Sequence, residues 1–311
     1  MNININRYVL LALAASFWSL NFIYGKLLVG AIPPSAINLL RWLVAFLVFL
    51  PLTWMEIKKD VHFYLSKWPL LLFLALTGYC INGFATYLAV TYTTAINASF
   101  IASFNPIIFT LFAFILYREK LDAIQIAGIF ISLIGVFWII FKGEIGRVFE
   151  MTVNTGDIIM LLSVISWALY SIVYKKKAGI FDPKPLFTML VIGGLLTNFI
   201  LVIFDVVQNG LGWALELNSS HLFAIIILNV FPTFLSFICW NKGILQVGAG
   251  EAAIFLNLVP LITTIISILF LGETLLFASV IGGCFIILGV LLVTNSRVVR
   301  PYLPFNKMKV E

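Results

Sequence analysis

The stretch ⁹⁵AINASFIASFNPIIFTLFAFILYREKLDAIQIAGIFISLIGVFWII¹⁴⁰ decides the reading of this chain, because its pattern occurs twice. Pro106 is followed by Glu119, Gly128 and Gly135, and a shift of 154 residues returns Pro260, Glu273, Gly282 and Gly289. The flanks agree: Ala95 falls on Ala249, Ala98 on Ala252, Thr110 on Thr264, Leu121 on Leu275 and Val136 on Val290. Leu/Ile coincidences come cheaply in so apolar a background, but four fixed Pro, Glu and Gly spacings do not. The pattern is an internal duplication, and a repeat of this kind outranks other sequence signals.

Working outward, the rest of the 311 residues is equally apolar: 62% hydrophobic and 10% charged, with a mean hydropathy of +1.10. A typical globular protein is about 25% charged. The apolar runs recur at about twenty residues, the length of helix that crosses about 30 Å of hydrocarbon. Ten spans are expected, near 8–29, 35–55, 68–90, 95–117, 122–141, 156–175, 185–206, 221–242, 249–271 and 276–294. The ten-residue alternation of a β-barrel is absent. The fold class is an all-α membrane protein with short links and no inserted soluble domain, so function must lie among the helices. Met1–Arg7 is polar and the run after it is long enough to span, so no cleavable signal peptide is expected. Cys80, Cys239 and Cys284 lie inside apolar spans without metal-ligand spacing and read as small buried hydrophobes.

Lysines and arginines set the orientation. With the N-terminus in the cytoplasm, fifteen of the nineteen fall in inside segments, two in outside loops (Lys142 and Arg147) and two within spans (Lys26 and Arg41). That bias predicts both termini in the cytoplasm. Five spans make one unit, and an odd unit repeated in tandem must be inverted. The early spans agree at an offset of 149, with Trp18 on Trp167, Lys26 on Lys175 and Pro34 on Pro183. The expected organisation is therefore two inverted five-helix repeats, 1–145 and 150–296, and a cytoplasmic tail, 297–311. Inverted repeats are a construction of secondary transporters, whose halves rock about a central site.

Residues 97–136 and 252–290, with the first span LALAASFWSLNFIYGK and LLRWLVAFLVFLPL in span two, resemble the drug/metabolite transporter superfamily, in particular its EamA-type members. The resemblance covers essentially the whole chain. It implies a ten-helix transporter of small polar or aromatic metabolites in the bacterial inner membrane, often amino acids and often outward. Glu251 departs from the family pattern, where a small or basic residue is expected.

Several side chains are candidates for the substrate site. Trp18 and Trp167 are repeat mates in mid-span, although tryptophan prefers the membrane interface. Two of them at the centre suggest a wet cavity rather than mere core packing. Asn21 and Tyr170 lie three residues on and share a helix face with their tryptophans. Tyr79, Asn82 and Thr86 are spaced as one helical face, which serves either as interhelical hydrogen bonding or as substrate contact. Lys26 and Arg41 are charges inside spans, functional by default unless they snorkel, and suited to a substrate carboxylate. Glu251 is read either as a helix-terminus anion or as a proton-coupling carboxylate. Pro106 and Pro260 are mid-span prolines, read as kinks or as bends needed for rocking, with Asn105 and Asn257 at hand for the freed backbone. Glu119 and Glu273 read as turn caps, and the four glycines as permitting close helix contact.

The expected activity is secondary active transport by alternating access of a small metabolite, with amino acids, especially aromatic ones, leading. Quaternary ammonium drugs and S-adenosylmethionine-like metabolites are the alternative substrates; a channel or lipid scramblase is the rival of another class. No P-loop, HExxH or GxSxG occurs, and His62 and His221 sit at span ends without metal-ligand partners, so the chain is not expected to be an enzyme and no cofactor or metal is expected. The expected partners are the substrate, the bilayer and, as coupling ion, the proton. Nucleic acid is not expected, and the protein acts as a monomer or homodimer.

Overall fold

A computed structural model describes residues 6–93, 98, 101–118, 122–141, 143–144, 146, 154–247, 249–271 and 277–294. Glu119 and Glu273, most of 94–100 and the tail 297–311 lie outside the described residues.

Proline and Asx chemistry starts the helices. α1 (Arg7–Val29) opens on Asn6, whose side chain accepts from the Tyr8 amide. α2 (Pro34–Lys59) and α7 (Pro183–Asn209) both begin with proline in the first turn, where the missing N–H costs nothing. Pro34 and Pro183 are the pair matched at offset 149. α3 (Trp68–Tyr92) follows a short helix at Val61–Ser66. α4 (Asn105–Tyr117) and α5 (Ala123–Ile140) follow, the latter opened by a capping box between Asp122 and Gln125. α6 (Thr155–Lys177) opens on a box between Asn154 and Asp157, and α8 (Ser219–Gln246) on one between Asn218 and His221. α9 covers 249–271 in three parts, and α10 is Phe277–Thr294.

Among the described residues, seven helices are long and apolar enough to cross a membrane: α1, α2, α3, α6 as far as Ile180, α7, α8 and Ala249–Ile266 of α9. Asn105–Tyr117, Ala123–Ile139 and Val280–Thr294 are shorter apolar helices. The three extra spans expected from hydropathy are thus present as apolar helix but fall below spanning length among the described residues. Apolar side chains on the outside fit a hydrocarbon surround: Ile200, Phe204 and Ile158 are each more than 60% exposed.

The two prolines of the doubled pattern stand differently: Pro106 opens a new helix after a turn, whereas Pro260 lies inside the continuous helical run 249–271, just past a change of winding. Ile101 and Ala102 are helical, Ser103 and Phe104 form a turn, and α4 starts anew with Asn105 and Pro106. α9 runs as α-helix to Ala253, tightens to a 3-10 turn at Ile254–Asn257, and resumes as α-helix at Leu258, two residues before Pro260. Pro106 therefore sits in the first turn after a break, where it removes no needed donor, and Pro260 falls three residues after the 3-10 turn ends. The repeat mates Thr110 and Thr264 make the same bond, each hydroxyl donating to its proline carbonyl, at 2.7 and 2.9 Å. The Asn105 amide donates to the Ala102 carbonyl across the break, whereas Asn257 donates to Ser132 instead.

Two other helices change winding inside their spans, one of them at an interior proline. α3 contains a π-helical segment at Leu76–Ile81, and α8 contains one at Asn229–Leu235 that includes Pro232. A π turn carries one residue more than an α turn and leaves backbone groups to be met by side chains. In α3, Asn38 of α2 and Asn198 of α7 supply this. The Asn38 amide nitrogen donates to the Tyr79 and Cys80 carbonyls, both at 3.1 Å, and to Asn198 Oδ1 at 2.6 Å. The Asn198 amide donates to the Tyr79 and Gly194 carbonyls. In α8, the Thr233 hydroxyl donates to the Leu228 carbonyl and the Ser236 hydroxyl to that of Phe231, both reaching back five residues.

The four repeat glycines meet one another. A Cβ on Gly128 would stand 2.8 Å from the Gly289 carbonyl oxygen, and one on Gly135 would stand 2.5 Å from that of Gly282. α5 and α10 therefore run antiparallel with backbones in contact, which only small residues allow. A second matched pair brings α6 against α3 and α1 against α8. Gly156 there lies against Ala89 and Thr93, and Gly243 against Leu11 and Arg7.

Candidate functional site

The centre of the molecule is aromatic. Trp18 of α1 and Trp167 of α6 meet edge to face with ring centroids 5.1 Å apart. Trp240 of α8 lies 5.4 Å from the first and 5.6 Å from the second. Tyr170 stacks on Trp167 at 5.1 Å. Phe237 packs on Trp18, Trp167, Trp42 and Tyr79, and Trp42 lies 4.4 Å from Tyr79. Contacts of this geometry add about 0.5–1.5 kcal/mol each beyond burial. The polar edges are mostly answered. Trp18 Nε1 donates to the Pro232 carbonyl at 3.0 Å, Trp240 Nε1 to Ser171 at 3.1 Å, and the Tyr170 hydroxyl to Asn241 Oδ1 at 2.9 Å. The Tyr79 hydroxyl sits beside Tyr170 and Asn241 without closing a well-formed hydrogen bond, and Trp42 Nε1 has no acceptor among the described residues.

Beside this cluster lies a polar chain across α1, α2, α3 and α8. The Arg41 guanidinium donates from Nε to the Thr233 hydroxyl at 2.7 Å and from Nη1 to the Tyr87 hydroxyl at 3.0 Å. The Tyr87 hydroxyl donates on to Asn21 Oδ1 at 2.6 Å. The guanidinium carbon stands 5.7 and 5.6 Å from the Trp42 and Tyr87 ring centroids, within cation–π reach.

Of the residues singled out in the sequence, Trp18, Tyr79, Trp167 and Tyr170 come together in the cluster, and Asn21 and Arg41 join the adjoining chain. Asn82 stands apart. Its amide donates to the Ser163 hydroxyl at 3.0 Å and carbonyl at 3.3 Å, Ser163 donates back to the Asn82 carbonyl, and Thr86 bonds Ser163 at 2.7 Å. This is hydrogen bonding between α3 and α6, the structural one of its two readings. Glu251 accepts from the Tyr8 hydroxyl at 2.7 Å, which ties the start of α1 to the start of α9. Tyr8 also stacks on Phe255 and reaches the Thr294 carbonyl. Lys26 is on the last turns of α1, and its side chain lies outside the described residues. Pro106 begins a helix, and Pro260 follows the 3-10 turn of α9, as above.

The candidates read from the sequence did not include Asn38, Trp42, Thr233, Phe237 or Trp240 as site builders. Asn38, Arg41 and Trp42 share a face of α2 at spacings of three and four, which was the available signal.

The described residues thus form a multi-pass arrangement of apolar helices around a buried aromatic cluster with a buried arginine beside it. The chain belongs to the EamA-like transporter family, which matches it twice, over residues 6–141 and 154–295. It is similar to the uncharacterized transporter YyaM of Bacillus subtilis, 29% identical over 96% of this chain and 95% of that one. An uncharacterized transporter of Archaeoglobus fulgidus is 26% identical over 94% of this chain and 99% of that one. A solved crystal structure superposes with a TM-score of 0.75 at 17% identity, covering 95% of this chain and 98% of the other, and shares the fold.

Proposed function

We propose that the protein is a secondary active transporter that moves a small metabolite across the bacterial inner membrane by alternating access, with an amino acid, aromatic ones first, as substrate. The observation that carries this reading is the meeting of Trp18 and Trp167, matched positions of the two halves, at the centre of the molecule. Flat rings suit an aromatic or amphipathic solute, and the adjoining Arg41 suits an anionic group. A buried guanidinium weighs against the quaternary ammonium alternative, because like charges repel in a poorly screened interior.

Transporters that alternate access are often built from two similar, oppositely oriented halves. The antiparallel glycine contact of α5 with α10, and the matched packing of α6 on α3 and α1 on α8, support such inversion. The lysine and arginine bias supports cytoplasmic termini. Glu251 is the candidate proton site: it is a carboxylate at the start of α9, in the second half, bonded to Tyr8 at the start of α1, in the first.

Uptake of labelled phenylalanine and tryptophan into proteoliposomes, with and without a proton gradient, tests this reading. Saturable uptake driven by the gradient is expected, with Trp167→Phe raising KM severalfold and Glu251→Gln losing the dependence on pH. Unchanged gradient dependence in Glu251→Gln removes Glu251 from the coupling path, and uptake that never saturates removes the transporter reading.

A further inference from the structure

We infer that Arg41 is a carboxylate subsite, and that it limits the transported solutes to carboxylic acids and zwitterions such as amino acids; this rests on the transporter reading of the central cluster. Arg41 is 6% exposed and lies on a helix of spanning length. Its hydrogen-bond partners are neutral hydroxyls, Thr233 and Tyr87. Among the described residues no carboxylate touches it, and Nη2 makes no hydrogen bond. The neighbouring Trp42 Nε1, also buried, is a second donor without an acceptor.

An ionised arginine in such a place is costly, and intramembrane charges of this kind mark substrate paths. Two hydroxyls and two ring faces recover part of the cost, but none of them carries negative charge. The fork of guanidinium donors matches a carboxylate in geometry as well as sign. The site adjoins the aromatic cluster: Trp18 Nε1 donates to the Pro232 carbonyl and Arg41 Nε to the hydroxyl of the next residue, Thr233.

Thr233, which accepts from Arg41 Nε, belongs to the π-helical segment of α8 and carries the side-chain bond to the Leu228 carbonyl.

The test is a thermal-shift comparison of the full-length protein in detergent, using tryptophan, phenylalanine, their decarboxylated amines and inorganic phosphate at matched concentrations. Ligands that bind the folded state raise its apparent stability. At least one of the two amino acids is expected to raise Tm, while the amines and phosphate leave it in place. Arg41→Gln should weaken that amino acid's binding about tenfold or more, equivalent to about 1.4 kcal/mol. Should Arg41→Gln not fold, Arg41→Lys, which keeps the charge and loses the fork, should weaken binding severalfold. Stabilisation by the amines or by phosphate equal to that by the amino acids overturns the inference. So does no response to either amino acid, or binding that is unchanged in the variants. Arg41-dependent binding without uptake in liposomes sinks the transport reading and leaves the subsite standing. Saturable uptake that Arg41→Gln does not alter does the reverse.

Discussion

Gly135→Leu is expected to abolish recovery of folded protein from the membrane, and Gly135→Ala to lower its Tm measurably. The cause is backbone proximity. A Cβ at Gly135 would lie 2.5 Å from the Gly282 carbonyl oxygen and 2.8 Å from the Ile286 backbone nitrogen. Neither is a flexible side chain that can swing aside, so the two helices must separate. Separation also disturbs the matched contact of Gly128 with Gly289 on the same helix pair. Overpacking of this kind costs about 1–3 kcal/mol per site in soluble cores. It should exceed that for leucine, because close packing is the main attraction available between helices in lipid. Thermal unfolding in detergent, followed by size-exclusion chromatography, reads the effect. A monodisperse Gly135→Leu protein with wild-type Tm would refute the antiparallel glycine seam.

Asn198→Leu should be nearly as damaging, for a different reason. Asn198 and Asn38 are both fully buried, and together they serve the Tyr79 and Cys80 carbonyls of the π-helical turn. Removing Asn198 leaves Asn38 without its 2.6 Å partner and the Tyr79 carbonyl with one donor fewer. Each buried polar group left unmet costs about 1–3 kcal/mol. The expected result is a fall in Tm of several degrees together with weaker substrate binding, because the same turn aims Tyr79 at Trp42 and Tyr170. Full stability in Asn198→Leu would mean that the π segment holds without its clamp.

Much of this was legible in the sequence. The doubled glycines predicted close helix contact, and they form one. Trp18 and Trp167 were matched by repeat spacing alone and meet in space. Arg41 stood out as a charge in an apolar run and lies buried beside them. The rest was hidden for physical reasons. Tyr79 and Asn82 fit one α-helical face on paper, but the π turn at Leu76–Ile81 changes the angular spacing between them. Tyr79 therefore joins the cluster, while Asn82 bonds Ser163. Pro106 and Pro260 give the same sequence signal whether they kink a helix or restart one. The turn at Ser103 and Phe104 and the 3-10 turn at Ile254–Asn257 decide that, and residue spacing does not record them. Trp240 and Phe237 are ordinary aromatics in an apolar span, and only the packing of α8 on α1 and α6 brings them to the centre.

Counterflow tests the central claim most directly. Proteoliposomes are preloaded with unlabelled amino acid and diluted into trace labelled amino acid of the same kind. A carrier that alternates around one central site predicts a transient overshoot of label that saturates with external substrate. Linear, unsaturable flux with no overshoot, or movement of labelled lipid between leaflets without solute exchange, would contradict it.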